Sequence, residues 1–138
     1  MSYNWTHVAG IIRINSPRYI GKNVEDLKKI IGREVSRQEA YAALYEGESI
    51  AEKTLPYTDH GSLKLSIWEN PDENNSAAFT VSVFGDLADH DSPQKIVKWF
   101  KKVVGECEDV FTFVGNACIV ADNDLNGIRS WVYREDRK

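Results

Sequence analysis

Leu63, Leu65 and Ile67 alternate with Lys64, Ser66 and Trp68, and Phe79, Val81 and Val83 alternate with Thr80, Ser82 and Phe84. A period of two places successive side chains on opposite faces of a strand, so both runs predict half-buried β-strands. The segment between them, Asn70-Pro71-Asp72-Glu73-Asn74-Asn75, is dense in turn formers and predicts a hairpin loop. An earlier run from Trp5 to Ile14 is apolar on both faces: Val8, Ile12 and Ile14 on one, Trp5, Ala9 and Ile11 on the other. That pattern suits an interior strand.

Helical spacing follows. Asn23 is placed to cap a helix that carries Val24, Leu27, Ile30 and Ile31 on one face and ends at Gly32. Ser36-Arg37-Gln38-Glu39 reads as a capping box opening a second helix, which buries Ala40, Leu44 and Tyr41 and stops at Gly47. The stretch from Glu48 to Gly61 shows no clear period. Ser92-Pro93 opens the strongest helix, whose apolar stripe is Ile96, Val97, Phe100, Val103 and Val104, with Gly105 as its stop. Beyond it, strands are expected at Val110–Val114, Ala117–Ala121 and Ile128–Tyr133. The predicted class is α+β in the order β-α-α-β-β-α-β-β: a largely antiparallel sheet with helices on one face. A ferredoxin-like split β-α-β core with a C-terminal hairpin is one specific version.

Composition narrows the function classes. The chain has 138 residues, a length that suits one domain, and no repeat or linker-like tract divides it. The balance of 17 Lys+Arg against 21 Asp+Glu gives a net charge of −4, which argues against a general binder of nucleic acid or anionic membranes. The first residues lack the pattern of a secretory signal, and no apolar run approaches the length of a membrane span. Two cysteines are too few for a zinc cluster of their own. Cys118 reads as a small core residue, and Cys107, between Glu106 and Glu108, as an unreactive thiol. Two reduced thiols suit a cytoplasmic protein.

Three groups of residues carry candidate chemistry. Asp122-x-Asp124-x-Asn126-Gly127 begins like a calcium-binding loop, but Tyr133 stands where the bidentate Glu belongs. A hairpin turn with Asx hydrogen bonds is the competing reading. Asp86, Asp89, His90 and Asp91 precede the long helix and are suited to a divalent metal or a general base, with His60 as an added imidazole. Against this, acidic residues before a helix also complement its dipole. Finally, Trp68 on one strand and Arg129, Trp131 and Tyr133 on the last would form an aromatic patch if both groups lay on the uncovered face. His7, flanked by apolar residues, reads as a satisfied core histidine. No phosphate loop, G-x-S-x-G, H-E-x-x-H or dinucleotide fingerprint occurs.

The segment Val81-Ser-Val-Phe-Gly-Asp-Leu-Ala-Asp-His-Asp-Ser-Pro-Gln-Lys-Ile-Val-Lys-Trp-Phe100 resembles small uncharacterised accessory proteins of bacteria and phages. The resemblance implies a cytosolic accessory role and no catalytic residue. The leading expectation is a non-enzymatic binding protein that self-associates or recruits a protein partner through its sheet face, with no cofactor. The alternatives are a small metal-dependent hydrolase using the Asp86–Asp91 loop, and a binder of a small anionic ligand such as a nucleotide. In the latter, Arg129 would pair with phosphate and Trp131 or Tyr133 would stack.

Overall fold

The computed structural model describes residues 4–17, 21–71, 76–111 and 113–134. Strand β1 (Trp5–Pro17) leads to helices α1 (Val24–Ile31) and α2 (Arg37–Tyr45) and a short hairpin, β2 (Tyr57–Thr58) and β3 (Gly61–Ser62). Strands β4 (Lys64–Pro71) and β5 (Ser76–Ala88), helix α3 (Pro93–Phe111), and strands β6 (Phe113–Asn123) and β7 (Gly127–Arg134) complete the chain. The hairpin residues Asp72–Asn75 lie outside the described residues.

The five long strands form one antiparallel sheet in the order β4-β5-β1-β6-β7. Strand β1 is central, pairing with β5 on one side and β6 on the other. Strands β1 and β4 therefore run parallel with β5 between them, and β5 and β6 run parallel with β1 between them. These are two interleaved split β-α-β units, and β7 is added as a hairpin on β6. The α+β class is observed.

Local chemistry explains the helix boundaries. The Asn23 side chain accepts from the backbone of Glu25 and Asp26 while Asp26 accepts from the Asn23 N–H, a full capping box. Gly32 ends α1 with φ 110°, and a Cβ there would lie 2.7 Å from the backbone of Thr54, so only glycine fits. Ser36 and Glu39 form the expected box on α2, and Glu39 also takes two hydrogen bonds from the Arg33 guanidinium at 3.1 and 2.6 Å. That pairing holds the Glu39 carboxyl well down, at about 2.

Three expectations are corrected. Helix α3 does not stop at Gly105 but runs to Phe111, so Val110 is helical and not in a strand. The reason is the buried stripe, which continues at helical spacing through Val104, Cys107 and Phe111, while Gly105 faces open space. Tyr41 and Leu44 of α2 are exposed, and Ala40 is the buried residue of that helix. Cys118 is exposed, not in the core, because it occupies an outward register position on β6.

The core lies between one face of the sheet and helices α1 and α3. Val8, Ile12 and Ile14 of β1 meet Phe79, Val81 and Val83 of β5 and Ile119 and Ala121 of β6, all beneath α3. Phe100 reaches the centre of the sheet over Gly10, where a Cβ would come within 3.0 Å of its ring. Among the described residues, no helix is long and apolar enough to cross a membrane.

Candidate functional site

Among the described residues, no helix covers the other face of the sheet, and its register gives four rows of side chains. The first row reads Asp86, His7, Asp122 and Ile128. The second reads Lys64, Phe84, Ala9, Val120 and Ser130, and the third Ser66, Ser82, Ile11, Cys118 and Val132. The fourth reads Trp68, Thr80, Arg13, Asn116 and Arg134. Two largely uncharged middle rows are thus bounded by an acidic row at one end and a row with two arginines at the other. Ile11, Trp68, Phe84, Val120, Ile128 and Val132 are all exposed on this face, Val132 to 74%. Six large apolar side chains on one face make a patch of the kind that marks interaction surfaces.

The acidic end is built from loops distant in sequence. His7 is not a core histidine; it is exposed, with Nδ1 2.8 Å from Asp86 and Nε2 2.9 Å from Asp124. These hydrogen bonds, Asp86 first, raise its pKa above the ordinary value. Both ring nitrogens are engaged by carboxylates, an arrangement that favours the protonated imidazole, which can donate at each end.

Asn123 ties this end together and was missed by sequence reasoning. It is almost fully buried, its amide nitrogen donating to Thr6 Oγ1 and to the His90 carbonyl, each at 2.9 Å. Its carbonyl oxygen accepts from the backbone of Leu125 and Asn126. The Thr6 hydroxyl donates to the same His90 carbonyl. The loop read for calcium thus takes the competing form, an Asx turn led by Asn123, one residue into the motif. Asn126 donates to the Asp91 carbonyl at 2.9 Å, joining the two acidic loops.

The remaining candidates separate. The Asp89 N–H bonds to the Asn4 carbonyl, and Asp89 holds a positive φ of 57°. His90 sits on the helix side, half-buried, near Tyr57, Ile96 and Trp99, and burial lowers its pKa. His60 bonds Asp59 at 2.8 Å, Tyr45 donates to the same carboxylate, and the His60 ring meets Trp5 edge-on. Among the described residues, no group of three or more His, Cys, Asp or Glu side chains is arranged to hold a metal ion.

The expected aromatic patch is divided between the two faces. Trp68 lies on the open face, whereas Arg129, Trp131 and Tyr133 lie on the helix side, opposite Ala121, Ile119 and Ala117, which are buried there. Trp131 meets Phe100 edge-on, stacks with Tyr133 and lies under the Lys101 ammonium. The reason is parity: once Ile119 faces α3, its cross-strand partner Trp131 must do so too.

No family model, curated protein or solved structure matches the chain. Cys107 contributes nothing reactive, because burial chiefly, then Glu106, pushes its thiol up to about 12.

Proposed function

We propose that the chain is a non-enzymatic binding protein of the cytosol that self-associates through the open face of its sheet, the partner being a second copy of itself. The carrying observation is the order of the four rows. A two-fold axis lying across the strands would set the acidic first row of one copy over the arginine row of the other, and the largely uncharged middle rows over each other. Arg13 of one copy then lies over His7 of the other, where the flanking carboxylates of Asp86, Asp122 and Asp124 outnumber the two cations, and both ends are matched at once. Two aligned sheets pack about 10 Å apart. Five strands by four rows cover about 650 Å² per copy, or about 1,300 Å² in all, within the range of stable interfaces. Free cysteines, one of them exposed at the centre of this face, fit a reducing compartment.

Light scattering of the purified chain tests this reading. We expect a dimer that Val120→Glu converts to a monomer without loss of the folded circular dichroism signal. Arg13→Glu weakens the dimer, and adding Asp122→Lys to that variant restores it. In the same arrangement the two Cys118 residues stand about 12 Å apart, so a thiol cross-linker of that span joins them. A monomeric wild-type chain, or a dimer indifferent to Val120→Glu, would overturn the proposal.

A further inference from the structure

All four lysines of α3 are exposed, but three of them lie beside the edge strand of the sheet. Lys95, Lys98 and Lys101, on successive turns, line a groove of about 470 Å³ with Arg129 of the edge strand β7, and Val97 is part of its wall. Arg129 reaches it because its register position lies on the helix side, opposite the buried Ala121. Lys101 forms one end, its ammonium 5.7 Å from the centre of the Trp131 ring.

Carboxylate pairing is partial across the molecule, and the groove gathers four of the cations that lack it. Lys28, Arg33, Lys53 and Lys64 each have a carboxylate partner. Among the described residues, none of the four groove cations does, although acidic residues outnumber basic ones in the chain. Four like charges converging on one concavity repel each other unless an anion lies among them. The groove also opens at the first turn of a 19-residue helix, whose dipole adds positive potential. Its volume falls within the range of small-molecule sites.

We infer that the groove between α3 and β7 binds a small molecule through a phosphate or diphosphate group. Arg129 supplies the planar fork for two phosphate oxygens, and Lys98 and Lys101 supply point charges from the facing helix. The site lies on the helix side of the sheet and meets the open face only at the edge strand, where Ser130 borders both.

Calorimetric titration with pyrophosphate and with ATP, each at low and high salt, tests the site. One anion per chain is expected, with affinity falling as salt rises. Arg129→Gln and Lys98→Gln each lower affinity by about tenfold or more, corresponding to loss of one charge-assisted hydrogen bond. Lys102→Gln, on the same helix but outside the groove, leaves affinity unchanged. Binding of ATP without pyrophosphate also supports the site, since its phosphates are the shared chemistry. Heat from neither ligand, an equal loss in Lys102→Gln, or a response only to a long oligonucleotide overturns it.

Discussion

The same strands present two surfaces that differ in almost every physical respect. On the helix side, β1 offers Val8, Gly10, Ile12 and Ile14, all buried and packed so closely that a Cβ at Gly10 would press on Phe100, Val83 and Ile119. On the open side, the same strand offers His7, Ala9, Ile11 and Arg13, of which the first three are exposed. Apolar content alone does not separate the two, since Ile11, Phe84, Val120 and Val132 are as hydrophobic as much of the core. What separates them is charge at the margins. The helix side is sealed by packing, whereas the open side is framed by Asp86, Asp122 and Asp124 at one end and Arg13 and Arg134 at the other. An apolar surface kept in water between opposite charges is better suited to association than to folding.

The largest test of this contrast compares two phenylalanines. Phe100→Ala on the helix side is expected to cost about 3–5 kcal/mol, because its ring is wholly buried. Phe84→Ala, at 45% exposure, should cost the monomer less than about 1 kcal/mol. Chemical denaturation of both variants in a Val120→Glu background measures the monomer alone; equal losses would break the contrast. Next come two neighbours on one strand. Gly10→Ala should destabilise by about 1–3 kcal/mol through contact with Phe100 and Val83, whereas Ala9→Val should stay within about 0.5 kcal/mol. A tolerated Gly10→Ala would mean that α3 lies less tightly on the sheet.

The smallest effect concerns two histidines of opposite sign. His7, on the open face, has its pKa raised above 6.5 by Asp86 and Asp124. Its contribution is full below 6.5 and is lost as pH rises through the folded value. His90, on the helix side, has its pKa lowered from 6.5 by burial. Its contribution is full above 6.5 and is lost as pH falls through the folded value. Melting temperatures between about pH 5 and about pH 9 should show the advantage of wild type over His7→Gln shrinking toward high pH. Against His90→Gln, wild type should lose ground toward low pH. Parallel profiles for the two variants would contradict the assigned environments.

Elements governed by nearby residues were legible in the sequence. The alternation of Leu63–Ile67 and Phe79–Val83, the Ser36–Glu39 box and the Ser92-Pro93 start all depend on contacts within a few positions. Helix α3 was read short because glycine stops a helix only when the chain turns there. At Gly105 the demand to bury Cys107 and Phe111 outweighs its poor propensity. The faces of β1 and β7 were not legible, since which apolar side is covered is decided by α3 and not by either strand. The merging of the two acidic loops around His7 follows from the order β5-β1-β6, a pairing across more than a hundred residues. Asn123 left one trace, an Asn two and three residues before backbone N–H groups that turn back toward it. The pattern becomes telling only once the turn is known.

The central position of β1 also bears on how the chain is made. Strand β1 is complete at Pro17, yet its first neighbour, β5, ends about 70 residues later. At synthesis rates of roughly 5–20 residues per second, that delay is on the order of 4–14 s. Once it has emerged from the ribosome, a strand carrying Ile11, Ile12 and Ile14 waits for β5 to follow before that edge can pair. Arg13 interrupts that run, and a charge within an apolar strand is what discourages pairing with a neighbouring nascent chain. Arg13 would thus guard the strand during synthesis and take its place at the basic end of the open face once the sheet is formed.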